Sequence, residues 1–166
     1  MAIEIRLAVH EDDTALAAID QETWTAEVTP AGKPDAARPF FDESTNPRDV
    51  VVVLVDGVVA GYAKLGRATP VAASDHVAMI TGLAVARSFQ RRGVGRAVLD
   101  AVVEEARARR CRRVTLRVLG HNAGARRLYE AAGFAVEGIL RGEFFLDGVY
   151  VDDVLMALEL QSADPA

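Results

Sequence analysis

Apolar and polar side chains alternate over residues 3–9, where Ile3, Ile5 and Leu7 stand against Glu4 and Arg6, the period of two that marks a half-buried strand. The period then lengthens. In HEDDTALAAIDQETW, Ala15, Leu16 and Ile19 share one helical face, with Asp12 or Asp13 placed as the cap. The next stretch, TPAGKPDAARPFFDESTNPRD, holds four of the six prolines and reads as loop with room for one short helix. Two apolar runs in VVVLVDGVVAGYAKLGR flank Asp56-Gly57, a dipeptide that tolerates positive φ and so predicts a tight hairpin. HVAMITGLAV is another apolar strand, in which Gly82 marks a bulge or a close backbone approach. Over residues 94–110 the spacing of Leu99, Val102, Val103 and Ala106 predicts an amphipathic helix, and RVTLRVL a strand after it. A short helix follows, capped by Asn122, with Ala125, Leu128, Tyr129 and Ala132 on one face and Gly133 to stop it. FAVEGILRGEFFL and VYVDDVLMALEL, joined by Asp147-Gly148, form a final long hairpin, and QSADPA is a frayed tail. This order fits an α/β (α+β) class with a mixed central sheet flanked by helices. Without internal repeats or a linker, residues 1–166 read as a single domain.

Composition narrows this only slightly: 51% hydrophobic and 26% charged residues suit a folded chain. One cysteine, Cys111, forms no internal disulfide and agrees with a reducing cytoplasm. Arginines beside it would lower its pKa, but with no paired histidine it is not read as a nucleophile. No apolar span is long enough to cross a bilayer, and the amino terminus turns acidic where a signal peptide stays apolar, so the chain is expected to be soluble, cytoplasmic and unprocessed. Charge distribution says more than the net of −5. Residues 87–127 hold 12 arginines and three acids, a local net of +9, while the remainder carries −14. That asymmetry fits a polyanionic partner or, equally, a solvated helix face.

The candidate chemistry lies in Gln90-Arg91-Arg92-Gly93-Val94-Gly95-Arg96, between an apolar strand and the start of a helix. Unpaired N–H groups and the helix dipole favour an anion there, glycines let the backbone approach a phosphate, and arginines add charged donors. On the glycines alone, a strand-to-helix turn that binds nothing is an equal reading. A dinucleotide fingerprint fails, because Val98 stands where a third small residue belongs and no acid occurs between Glu105 and Glu130. A Walker-type loop fails as well, since Gly32-Lys33 is followed by Pro34.

The run GLAVARSFQRRGVGRAVL resembles the signature of the GNAT superfamily of N-acetyltransferases, Gln/Arg-x-x-Gly-x-Gly/Ala after a strand of the GLAV type. HNAGARRLYEAAGF resembles that family's second element, an Asn-capped helix with Leu-Tyr that ends in Gly-Phe. The closing ILRGEFFLDGVYVDDVLMAL is similar to the last hairpin of the branch that includes ribosomal-protein and small-amine acetyltransferases. The likeness covers residues 79–160, while the amino-terminal half matches only in its pattern of elements. It implies a GNAT-like acyl-CoA N-acyltransferase fold with a mostly antiparallel sheet, acetyl-CoA as cosubstrate, and an amine of a small molecule or peptide N-terminus as acceptor.

By position, the resemblance assigns the diphosphate to the amides of Arg91, Arg92, Gly93, Val94, Gly95 and Arg96. Leu83, Ala84 and Val85 would line the pantetheine arm and thioester, with the Leu83 N–H as oxyanion donor. Asn122 would touch the cofactor arm or act only as a helix cap. Tyr129 would protonate the leaving thiolate, the alternative being a plain core tyrosine. The family's two glutamate positions hold Met79 and Arg117, neither of which accepts a proton. His76, Glu27, Asp152 and Asp153 remain as candidate bases, alongside direct loss of the proton to solvent. Trp24, Phe40 and Phe41 are read as core packing, with an acceptor wall as the alternative. Without a His/Cys cluster at ligand spacing no metal is expected. Neither nucleic acid nor membrane is an expected partner, and a homodimer stays open. A non-catalytic acyl-CoA binder and, more remotely, a nucleic-acid-binding module are the alternatives.

Overall fold

The computed structural model describes residues 1–160, so the expectation for QSADPA lies outside the described residues. Seven strands form one sheet in the order β1-β2-β3-β4-β5-β7-β6. They are β1 (Ile3–Leu7), β2 (Val50–Val55), β3 (Val58–Arg67), β4 (Val77–Val85), β5 (Arg113–Leu119), β6 (Ala135–Leu146) and β7 (Val149–Glu159). Every neighbouring pair is antiparallel except β4 and β5. The helices are α1 (Asp13–Thr23), α2 (Val94–Ala108) and α3 (Ala123–Ala131). The expected mixed, mostly antiparallel sheet with flanking helices is therefore present.

Side-chain alternation divides the core between the two faces of the sheet. On one face α2 lays Val94, Val98, Leu99, Val102, Val103 and Ala106 against Val53, Ala63, Ile80, Leu116 and Met156, and the Leu128–Tyr129 side of α3 packs onto the same cluster. On the other, Leu16 and Ile19 of α1 join Phe40, Phe41, Val52 and Tyr62. Phe40 and Phe41 are thus core residues, as expected. Trp24 is half-buried, and its indole N–H donates to the Ala31 carbonyl at 2.9 Å.

Both Asp-Gly turns adopt positive φ at each residue, +50° and +81° at Asp56-Gly57 and +49° and +81° at Asp147-Gly148, which matches the right-handed twist of the strands they join. The first strand differs from expectation. It stops at Leu7, and Ile3, Ile5 and Leu7 are exposed, in keeping with the position of β1 at the edge of the sheet. The second helix also ends earlier, at Ala108 instead of near Arg110, where the chain turns through positive φ at Arg110. The expected bulge in β4 is real but centred one residue earlier: Lys64 pairs with Gly82 and Leu65 with Ile80, leaving Thr81 as the extra residue.

Candidate active site

The chain leaves β4 through a single 3-10 turn at Arg87–Phe89 and enters α2 by a left-handed path, with φ +59° at Arg91 and +82° at Gly93. Alternating hands of this kind turn successive amides to one side and form an anion-binding concavity. Gly93 caps the helix with no side-chain bond. Ala97 N–H is the first to bond back, to Gly93 O at 3.1 Å, so the amides of Val94, Gly95 and Arg96 have no intrahelical partner. The space in front of Gly93 is open: a Cβ there would meet nothing within 4 Å. The Gln90 side chain fastens the turn to the end of β4 by donating to the Val85 carbonyl at 3.0 Å.

Beside this turn the sheet opens. Strands β4 and β5 pair only from Val77↔Arg113 to Ile80↔Leu116, although β4 runs on to Val85 and β5 to Leu119. The Ala86 N–H bonds to Ala60 O, and the register continues through Gly61↔Val85, Tyr62↔Ala84, Ala63↔Leu83 and Lys64↔Gly82. Because hydrogen-bonded and non-bonded pairs alternate in an antiparallel ladder, the main-chain groups of Leu83 and Val85 face away from β3. They point into the split. Ala84 instead spends its main chain on β3 and turns its side chain to the α1 face.

Tyr129 packs from α3 into the core on the α2 face, its ring 6.0 Å from that of Phe134. Burial pushes its phenol up to about 12, so it carries its proton throughout the neutral range. Its hydroxyl makes no hydrogen bond among the described residues, so the proton is free for a ligand to receive. Asn122 acts as a cap, with its side-chain oxygen accepting from Ala125 N–H at 3.2 Å.

The opposite, α1-facing side of the split carries different chemistry. Lys64 lies across Gly82, whose missing Cβ would sit 3.6 Å from the lysine Cδ. Arg117 on β5 forms an ion pair with Asp153, which is 2% exposed. The Tyr62 hydroxyl donates to Asp20 of α1.

The sequence profile of the acetyltransferase (GNAT) family matches residues 14–134. The chain belongs to the acetyltransferase (GNAT) family. The ribosomal protein bS18-alanine N-acetyltransferase of Salmonella typhimurium is 35% identical over 83 residues, 50% of this chain and 56% of that protein. The chain thus spans about half the length of the curated relatives it matches. The crystal structure of ribosomal-protein-alanine N-acetyltransferase from Brucella melitensis is similar at a TM-score of 0.77 with 26% identity, covering 95% of this chain and 99% of that one. A phosphinothricin acetyltransferase from Sinorhizobium meliloti, solved in complex with AcCoA, shares the fold at a TM-score of 0.82 and 21% identity, covering 100% of this chain and 92% of that one.

Within this GNAT fold, the turn from Arg91 to Arg96 lies beside the open edge at Leu83 and Val85, and Tyr129 packs onto the same α2-side cluster as those two residues. The arginine side chains separate from that group. Arg96 is held by Asp100 at 2.8 Å and by the Ala131 carbonyl at 3.0 Å, and Arg92 stacks over Phe89 at 5.4 Å. Arg87 and Arg91 make no ion pair among the described residues.

The candidate bases are not brought to the split in usable form. His76 precedes β4, roughly 20 Å along the strand from Leu83 at about 3.3 Å per residue. Glu27 is exposed on the early loop, tied there by His121 Nε2–H donating to its main-chain carbonyl at 2.9 Å. Asp152 accepts from Gly142 N–H and from Arg141, which hold its carboxyl below the usual range, and Asp153 is committed to Arg117. The expectation for Cys111 is also corrected: burial pushes its thiol up and outweighs the pull of Arg109. Sequence reasoning missed Lys64 and the Tyr62–Asp20 contact. The alternation of β3 could have placed Lys64 on the α1 face, but its position over Gly82 depends on the long-range β3–β4 register.

Proposed function

We propose that the protein is an acetyl-CoA-dependent N-acetyltransferase, built as a single domain, that acts on a primary amine of a small molecule or a peptide N-terminus. The carrying observation is the left-handed amide turn at the head of α2, set beside the split whose edge is lined by the main-chain groups of Leu83 and Val85 that face away from β3. The amides of Arg91, Arg92, Gly93, Val94, Gly95 and Arg96 would hold the diphosphate. Leu83, Ala84 and Val85 would guide the pantetheine arm through the split, with the Val85 carbonyl yielding Gln90 if the arm claims it. Asn122 is assigned a capping role, with its amide nitrogen left to face the arm.

Acetyl-CoA supplies the activated acetyl group. As the amine attacks, the Leu83 N–H donates to the carbonyl oxygen that gains negative charge, a contribution of about 3 kcal/mol for one preorganised donor. Tyr129 then gives its proton to the departing sulfur, a role supported by a phenol that stays protonated at neutral pH. With the nearby carboxylates paired, the amine loses its proton to solvent, so the acceptor reacts from its neutral fraction. The cytoplasm, where such a cosubstrate is met, is the proposed location.

The test is calorimetric titration with acetyl-CoA of the wild type and of Gly95→Glu. A Cβ at Gly95 meets Leu128 and Val85 only at 3.7 Å, ordinary contact, so the fold is expected to persist while the added carboxylate repels the diphosphate. Binding by the wild type and none by the variant is expected; equal affinity would remove the turn from the site.

A further inference from the structure

The α1-facing mouth of the split carries a cation that the acetyl-transfer steps do not use. Lys64 is one of two lysines in a chain with 17 arginines. Its stem crosses Gly82, with Cγ, Cδ and Cε 3.6–3.8 Å from where a Cβ would be, ordinary packing distance. Its ammonium rests 4.3 Å from the centre of the Phe40 ring and 5.9 Å from that of Tyr62. Both rings are buried, at 6% and 3% exposure, so they fix the ammonium in place. Among the described residues no carboxylate pairs with it and no acceptor bonds to it. Asp20 is bonded by the Tyr62 hydroxyl, and Asp153 is paired with Arg117.

A half-buried ammonium with three unspent donors is retained at a desolvation cost unless something compensates it. Aromatic faces offset part of that cost. The remaining donors point to a ligand anion, and the position is informative: Lys64 is the register partner of Gly82, next to Leu83, whose N–H faces the split. We propose that Lys64 binds an anionic group of the acceptor, and that the acceptor class is a primary amine carrying a carboxylate or similar acid close to its nitrogen, a free amino acid being the simplest case. The inference rests on the acetyltransferase reading above and narrows its acceptor. Lysine suits the task as a compact point charge on a flexible stem. The same charge disfavours the ammonium form of the bound amine, which helps where no paired-free carboxylate serves as base.

The experiment compares acceptors that differ in one group: L-amino acids and their carboxamides, at saturating acetyl-CoA, with the wild type, Lys64→Met and Lys64→Arg. The wild type is expected to favour the acids in kcat/KM by about tenfold or more, the scale of one charge-assisted hydrogen bond. In Lys64→Met that ratio falls towards one through KM, and Lys64→Arg recovers most of it. An unchanged ratio in Lys64→Met, or a wild-type preference for the amides, overturns the proposal. Should Lys64→Met not fold, inhibition of the wild type decides: carboxylic acids that lack the amine compete with the acceptor while their amides do not, and the reverse order overturns it. Calorimetry with acetyl-CoA on the same wild-type protein separates the two levels. Tight binding without acid preference defeats only the role of Lys64, whereas no binding defeats the acetyltransferase reading itself.

Discussion

Tyr129 is the side chain whose environment most constrains its chemistry. Burial raises its phenol to about 12, so below that pH it is a proton donor and never a base. Tyr129→Phe is expected to lower kcat by about 10²-fold and to leave acetyl-CoA affinity unchanged; equal turnover in stopped-time assays would return the residue to a packing role. A second residue-scale expectation concerns folding. Asp12, 6% exposed, accepts from Arg6 at 2.7 and 2.9 Å and from Val9 N–H at 2.9 Å, and the Arg6 bond foremost holds its carboxyl below the usual range. A lowered folded-state pKa stabilises above the ordinary carboxylate value and is lost as pH falls through the depressed one. Asp12→Asn should therefore cost about 2 kcal/mol at neutral pH, with the gap in thermal midpoint closing in acid; a pH-independent gap would contradict the pairing. Asn122 and Tyr129 were legible as residues because a cap and a helical face are local patterns. Lys64 was not, since its partners Phe40 and Gly82 lie 24 and 18 positions away in the chain.

Among elements, the packing of β3, β4 and α2 positions the open edge of β4. Gly61 lies where all three meet: a Cβ there would come within 2.9 Å of the Ala84 carbonyl oxygen and 3.2 Å of Val98. Gly61→Ala must push β3 and β4 apart or lift α2, so a loss of about 1–3 kcal/mol by urea unfolding is expected, together with weaker acetyl-CoA binding, because Ala84 lies between Leu83 and Val85. Unchanged stability would mean that the strands yield at no cost. The two Asp-Gly hairpins, the helix starts at Gly93 and Asn122 and the strand order within each hairpin were legible from turn chemistry. The split was not. Its depth follows from where β4 and β5 cease to pair, and their register is set by packing of α2 across the sheet, which no local pattern encodes. The bulge falls at Thr81, beside the glycine that signalled it, since Gly82 keeps its ladder pairing with Lys64.

At the scale of the whole molecule, three arginines of the basic segment are paired with acids distant in sequence. Arg109 meets Asp49 and Glu105, Arg113 meets Glu137 and Glu159, and Arg117 meets Asp153. Part of the local +9 is thus spent on the molecule's own acidic remainder, while Arg87 and Arg91 near the turn make no ion pair among the described residues. The amino-terminal half, weak in motifs, covers the α1 face through Phe40 and Phe41, the face proposed above for the acceptor. On the proposed reading, the nucleotide and the acceptor would approach from opposite faces of one sheet and meet where β4 and β5 part. The crystal structure of the acetyl-CoA complex tests this arrangement most directly. The expected result is a diphosphate on the amides of residues 91–96 and a thioester oxygen within hydrogen-bond reach of Leu83 N–H, with the acetyl group opening towards Lys64. A nucleotide bound elsewhere, or an arm that does not enter the split, would contradict it.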